Sequence, residues 1–314
     1  MGGIGVITNP RSRQNKRNPG LAHELGYILG EKGEVQQPPD LDALAATARR
    51  FREHKIDILC VNGGDGTMHK ALTAMVLAYG KDPLPKIAIL PSGTMNTVAH
   101  GLRLRGSASE ILDYIVQRYH TNTPMPTARR WLLEVDGRQY GFLFGNGLCA
   151  RFLEIYYEGS APTPAKALWL LIRASLSAMV GGAFIQRLMA PYVGSVTLDG
   201  VRWLSERWLT LTIGSVDDIG MGFRPFFKSL LYPGRFHVVG IKTMNPFNVV
   251  RELPRIYWAR QVTGEGFDDD VGYELVLQSD EPIGYMIDGD FHQGGTQLTV
   301  RTGPAIEFII PERS

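Results

Sequence analysis

The sequence predicts an α/β protein in two parts. A domain built on a parallel sheet is expected over residues 1–122, and a β-rich domain with a helical insertion over 123–314, its final strands packing back toward the first. Three observations carry this reading. The front alternates short apolar strand-like runs with stretches of helical period, the signature of a parallel sheet covered by helices. Beyond residue 122 the texture changes to period-2 patterns separated by Asp-Gly turns. The chain has 314 residues, of which 44% are hydrophobic and 20% charged, so a packed core is the expectation and disorder is not.

Residues 4–8 form a strand-like run ended by Asn9-Pro10, and 21–29 has helical spacing after Pro19-Gly20. Residues 33–37 read as a second strand. Apolar residues at 41, 44, 45, 48 and 51 give an amphipathic helix behind an Asp40 cap. Runs 56–61 and 86–90 read as buried strands, the first followed by a helix starting near Met68. Residues 121–126 read as a linker. Strands then follow over 131–135, 140–144, 193–198, 208–213, 236–241, 273–277 and 298–300, with turns at Asp136-Gly137 and Asp199-Gly200. Helices are expected over 165–189 and 249–257.

Lys plus Arg number 33 and Asp plus Glu 31, a formal charge of +2, which does not suit a nucleic-acid partner. The two cysteines, Cys60 and Cys149, sit in apolar runs without a CxxC pair, so neither a disulfide scaffold nor a cysteine zinc site is expected. A reducing cytoplasm fits. No targeting segment is expected, and the uncharged stretch 174–186 spans 13 residues, short of the roughly 20 a bilayer requires.

The strongest chemical signal is Asn62-Gly63-Gly64-Asp65-Gly66-Thr67, directly after a strand and before a helix. Three glycines in four positions let the backbone turn sharply and approach a ligand, and amides at the helix start can hold phosphate oxygens. Asp65 among them suits a Mg²⁺ ion or a hydroxyl nucleophile beside a phosphate. A second loop, Pro91-Ser92-Gly93-Thr94-Met95-Asn96, also follows a buried strand. Both loops then lie at the carboxyl edge of the sheet, where open α/β folds bind ligands. A third element, Asp288-Gly289-Asp290, offers two carboxylates for base or metal chemistry, and by itself is a hairpin turn.

Together with Asn9-Pro10, these segments resemble the diacylglycerol kinase catalytic domain family, which includes bacterial lipid kinases and the sphingosine and ceramide kinases. The resemblance implies an N-terminal nucleotide-binding domain like those of NAD kinases and diacylglycerol kinases. It also implies a C-terminal β-sandwich-like domain and an active site in the cleft between the two. It implies ATP and Mg²⁺ as cofactors, with Asn9, Gly63, Gly64, Asp65, Gly66, Thr67, Ser92, Gly93, Thr94 and Asn96 around the nucleotide and Asp65 toward the metal. The reaction implied is transfer of the γ-phosphate to the hydroxyl of a lipid of the diacylglycerol, sphingoid-base or ceramide type. Asp290 or Asp65 would take the hydroxyl's proton, with Asp288 beside them. The protein would work on a lipid at a membrane surface, cytoplasmic or peripheral at the inner face.

The chain departs from the family pattern at several places. Asp290 stands for the usual Glu, and Lys70 for the Glu that commonly follows the glycine loop. Gln36-Gln37 stands where a Thr contacts nucleotide, and Tyr232-Pro233-Gly234-Arg235-Phe236 lacks the Asp of a structural Mg²⁺ site. NAD kinase shares the glycine loop but would carry an Asn-Asn-Glu-type motif where Ser92-Gly93-Thr94-Met95-Asn96 stands. An inactive lipid- or nucleotide-binding homologue is the other alternative. The basic run at 11, 13, 16 and 17 reads as an anion-attracting or solvated loop, the 268–270 aspartates as a solvated loop, and 165–189 as core or a membrane-docking helix. Gly3-x-Gly5 lacks the third glycine of a dinucleotide fingerprint.

Overall fold

The computed structural model describes residues 2–30, 33–93, 97–157, 186, 188–219 and 222–312. In chain order the first part runs β1 (Ile4–Thr8), α1 (Arg13–Arg17), α2 (Leu21–Leu29), β2 (Gly33–Gln36), α3 (Leu41–His54), β3 (Ile58–Gly63), α4 (Asp65–Tyr79), β4 (Lys86–Pro91), α5 (Thr97–Gly101) and α6 (Ala108–His120). There follow β5 (Thr127–Val135), β6 (Gln139–Gly141), β7 (Leu143–Asn146), α7 (Leu148–Tyr157), β8 (Tyr192–Val193), β9 (Ser195–Leu198), β10 (Val201–Arg202), β11 (Arg207–Trp208) and β12 (Thr210–Gly214). The chain continues through α8 (Lys228–Leu231), β13 (Phe236–Ile241), α9 (Pro246–Tyr257), β14 (Phe267–Gly272), β15 (Glu274–Gln278), β16 (Gly284–Ile287), β17 (Asp290–Gln293) and β18 (Gln297–Ile309).

Two compact units result. The first comprises Met1–Leu132, Arg138–Gly141 and Gly303–Ser314, the second Leu133–Gly137 and Phe142–Thr302.

In the first unit, β2, β1, β3 and β4 lie side by side in that order, all parallel, and Phe308 of β18 pairs with Ile87 of β4, also parallel. A parallel sheet is apolar on both faces because helices cover both. Ile4, Val6, Ile58, Cys60, Ala88 and Leu90 turn to one side, against Leu21, Leu25 and Leu29 of α2 and Ile111, Leu112 and Ile115 of α6. α3 and α4 pack on each other. Gly5 explains one glycine the sequence left open: a Cβ there would stand 2.8 Å from the Phe51 ring of α3, so the pair lets that helix close on the sheet. Phe51 is fully buried, and each such side chain contributes about 1.5–3 kcal/mol. Asp40 caps α3 by accepting from the Ala43 N–H at 2.8 Å.

The second unit is a β-sandwich. One sheet has the order β14, β13, β12, β7, β16, β17, antiparallel throughout. The other contains β10, β9, β15 and the first residues of β18. Phe144, Leu211, Ile213, Val238, Tyr285 and Ile287 of the first meet Val196, Leu198, Leu275, Leu277, Leu298 and Val300 of the second in one buried cluster.

Several expectations need correction. α4 starts at Asp65, not near Met68, because Gly64 takes the extended cap conformation at once. The aspartate run 268–270 is not a loop but the middle of β14, fully registered against β13. Its acidic composition hid a strand whose Asp269 is buried and paired. The basic run after Asn9-Pro10 includes α1, and its Asn15 is buried. The 140–144 and 193–198 strands are each interrupted by one residue, and α6, α7, β14, β16 and β17 are further elements the local pattern did not announce. The helix expected over 165–189 lies outside the described residues except for 186, 188 and 189. Among the described residues, no helix is long and apolar enough to cross a membrane.

Candidate active site

In the first unit the glycine loop is built by close approach. Gly63 ends β3, and a Cβ on it would lie 2.4 Å from the Thr67 Cβ. Gly64 caps α4, and a Cβ there would meet the Gly93 Cα at 3.1 Å, so the two glycine loops touch backbone to backbone. A Cβ on Gly66 would meet nothing within 4 Å. Asp65 lies between these last two, as the first residue of α4. The result is a helix N-terminus with small residues at its mouth, where the helix dipole favours an anion.

A cavity of about 620 Å³ opens there, at the carboxyl ends of β1 and β3 and beside the segments that follow β2 and β4. Asn9, Gly64, Gly66, Thr67, Lys70 and Gly93 are among the residues lining it, with Gln37 and Asp40 on the β2 side. The Asn9 side-chain amide donates to the Thr67 hydroxyl at 2.8 Å, and its oxygen accepts from the Arg11 N–H at 2.9 Å. This fixes Thr67 in the first turn of α4.

Beneath the loops lies a polar layer, to which the motifs contribute Asn9, Asn62 and Ser92, and in which the motif reading missed Asn15 and Ser12. Asn62 is fully buried; its oxygen accepts from the Asn15 side chain at 2.6 Å and its amide donates to the Leu90 carbonyl at 3.3 Å. Asn15 also donates to the Asn9 carbonyl at 2.7 Å. Ser92 is buried, exchanges a hydrogen bond with the Ser12 hydroxyl at 3.0 Å, and donates its N–H to the Gly63 carbonyl at 3.2 Å. Asn9, Ser12, Asn62 and Ser92 thus tie the ends of β1, β3 and β4 together. The available signal was an Asn closing an apolar strand. Thr94 and Asn96 lie outside the described residues.

On the far side of α4, His69 is buried with its Nδ1 2.9 Å from the Tyr140 carbonyl, and the Thr73 hydroxyl donates to the same oxygen at 3.0 Å. His69 is therefore part of the helix packing.

In the second unit, Asp288 and Gly289 form the turn between β16 and β17, with φ of 46° and 86°. The Asp288 carboxylate accepts from the N–H groups of Phe142 at 3.0 Å and Leu143 at 2.8 Å, while its own N–H donates to the Leu143 carbonyl at 2.9 Å. The same device recurs at two turns outside the candidate site. Asp136 (φ 49°) accepts from Thr299 N–H and donates to the Thr299 carbonyl; Asp199 (φ 48°) accepts from the N–H groups of Tyr273 and Glu274 and donates to the Glu274 carbonyl. Asp290 opens β17 opposite Ile287 and is half-buried. Directly opposed residues share a face, so Asp290 lies on the side of Ile287 and Tyr285, where His292 stacks on Tyr285 at 5.3 Å. A buried ion cluster sits elsewhere in the unit. Asp269 accepts from His237 at 2.9 Å and pairs with Lys228. Burial, the largest single influence, would raise its pKa, but the hydrogen bonds and the charge attraction of His237 and Lys228 together outweigh it and hold the carboxyl below its ordinary range.

A parallel sheet with a glycine loop at a helix start and a cavity on its carboxyl edge defines an α/β domain of open-sheet type, and comparison with known proteins narrows the class. Residues 3–126 match the model of the diacylglycerol kinase catalytic domain, the family that the order of motifs resembles. Solved structures similar to the chain include three from Bacillus anthracis str. Sterne, one described as a diacylglycerol kinase and two as "a putative diacylglycerol kinase". They superpose with TM-scores of 0.69, 0.65 and 0.65 at 14%, 13% and 15% identity, each over 98% of this chain and 97% of the other. No curated protein matches the sequence. The match over 3–126 supports a kinase of the lipid-kinase class, and the likeness to solved structures carries the two-part fold.

Proposed function

We propose that the protein is an ATP-dependent lipid kinase that transfers the γ-phosphate to a lipid hydroxyl. The observation that carries this reading is the α4 N-terminus opening, through side-chain-free Gly64 and Gly66, onto the 620 Å³ cavity. The cavity suits a nucleotide: the open space at Gly66 leaves room for phosphate oxygens against the amides, and Lys70 brings a cation to the same wall. The glycine-loop carboxylate, Asp65, does not line the cavity, and Asp40, which does, is taken up in capping α3; a Mg²⁺ ion would be held chiefly by phosphate oxygens with Asp65 at the loop, and would supply charge neutralisation. Asn9 and Thr67 would orient the nucleotide side. Asp290 is then the proton acceptor. The lipid O–H gives its proton to the Asp290 carboxylate, the oxygen forms a bond to the γ-phosphorus, and the bond to the β-phosphate oxygen breaks, releasing ADP. Asp288, with its oxygens on two backbone amides, positions the turn that carries Asp290. The substrate is an amphiphile with a hydroxyl, of the diacylglycerol, sphingoid-base or ceramide type.

The test is ADP release from Mg·ATP across a panel of those lipids in mixed micelles, with NAD⁺ as control. Turnover with one lipid class, lost in Asp65→Asn, establishes the reading. Turnover with NAD⁺ alone, or ATP binding with no turnover, overturns it.

A further inference from the structure

We infer that the outward face of α9 docks on an anionic lipid bilayer; what the docking serves, delivery of the acceptor lipid, rests on the kinase reading above. The helix packs an apolar residue inward and exposes large apolar residues as well. Its packed side carries Ile256, seated against the cluster of Phe226, Val239 and Val262, together with Glu252, which is only 3% exposed. Its outward stripe is Phe247, Arg251, Pro254 and Trp258, at the i, i+4, i+7, i+11 spacing of one helix face. Phe247 is 71% exposed and Trp258 64%, with Tyr257 (51%) and Leu253 (39%) beside them. Scattered exposed apolar residues need no explanation, but four large ones within twelve residues do.

The charge of this segment selects the occupant. Within the helix itself the cations are Arg251 and Arg255 and the acid is the buried Glu252, which pairs with Arg251 at 3.9 Å and Arg255 at 3.6 Å; Arg260 and the exposed Glu265 follow in the next loop. The helix thus carries no exposed carboxylate of its own, while its two arginines are 62% and 46% exposed beside the rings. Aromatic residues with an apolar body and a polar edge, interleaved with arginines, suit the headgroup level of a negatively charged bilayer. A second copy of this face would instead oppose arginine to arginine. Pro246 and the Asn245 cap hold the start of the helix, and at its end Tyr257 packs edge-on to Phe223 at 5.7 Å, so the stripe is presented in a fixed pose. The helix also reaches the candidate machinery within its own unit: Leu143, whose amide holds Asp288, packs on the same cluster as Ile256.

Flotation of the full chain with phosphatidylglycerol–phosphatidylcholine vesicles, against phosphatidylcholine alone, tests this. The expected result is binding to the anionic vesicles, reduced about tenfold or more in the Phe247→Ser/Trp258→Ser variant and about fivefold for each of Arg251→Gln and Arg255→Gln. Turnover of a monodisperse short-chain lipid should stay unchanged in all of these, while turnover of vesicle-borne lipid falls. Flotation as strong in the variants as in the parent overturns the proposal, as does a parent that floats with neither vesicle, or a dimer that the aromatic variant dissolves. The two readings fail differently: flotation with no ADP from any lipid defeats the kinase, and unchanged flotation with intact turnover defeats the docking face.

Discussion

The two candidate loops solve opposite problems. The loop at 63–67 is made by removing side chains. Gly63 yields to Thr67, Gly64 yields to Gly93, and Gly66 leaves open space over the start of α4. The turn at 288–290 is made by adding a carboxylate, since Asp288 bonds the amides of Phe142 and Leu143 and so pins a two-residue turn with positive φ. The first clears side chains from the start of a helix, which suits a ligand rich in phosphate oxygens. The second uses up backbone amides, which suits aiming one neighbouring side chain. On the proposed reading, binding falls to one loop and positioning to the other, although both contain Gly-Asp or Asp-Gly and look alike as sequence.

The sharpest break of this comparison separates the two aspartates of the turn. Asp290→Asn should lower ADP release by about 10²–10⁴-fold, the usual scale for a lost general base, with nucleotide affinity retained. Asp288→Asn should keep most activity, because an Asn oxygen still accepts from the two amides and Asn tolerates positive φ. Asp288→Ala should instead lower stability by about 1–3 kcal/mol, the cost of orphaned buried amides. Comparable losses in Asp136→Ala and Asp199→Ala would identify this as a turn device. Equal loss of activity in both Asn variants would show that Asp288 does more than hold the turn.

A second test concerns charge buried for structure. Asp269→Asn should cost about 3 kcal/mol at neutral pH, leaving Lys228 and His237 without their carboxylate. The folded pKa lies below the unfolded one, so this stabilisation is fully present above the ordinary carboxylate value of about 4 and disappears as pH falls through the folded value. Melting temperatures of parent and variant should therefore differ at pH 7 and converge in strong acid. A gap that stays constant with pH would mean the loss comes from packing.

Legibility in the sequence followed the range of the interactions. The parallel strands, the glycine loops and the three Asp-Gly turns were visible because each is specified by a few adjacent residues. Asn15 with Asn62 was not, since the bond joins residues far apart in the chain, and neither alone departs from an ordinary helix or strand. Asp268, Asp269 and Asp270 read as loop because composition dominated, while the partners that make a strand of them, His237 and its β13 neighbours, lie some thirty residues earlier. For α9, the sequence reading gives a helix over 249–257 but not which face is outward. Only the burial of Glu252 and the exposure of Phe247 and Trp258 decide that.

The smallest expected effects discriminate within the glycine loop itself. Gly63→Ala should destabilise by about 2 kcal/mol, because Thr67 must move and its bond from Asn9 goes with it. Gly66→Ala is different. Its φ is not in the left-handed region and nothing lies within 4 Å of the new methyl, so the fold should be unchanged or gain up to about 1 kcal/mol from better helix propensity. If phosphate oxygens lie against that backbone, the methyl occupies their space, and calorimetric ATP affinity should fall about tenfold or more while the melting temperature holds or rises. A stabilised Gly66→Ala protein with unaltered ATP affinity would place the phosphates away from the first turn of α4, and the division of labour between the two loops would have to be redrawn.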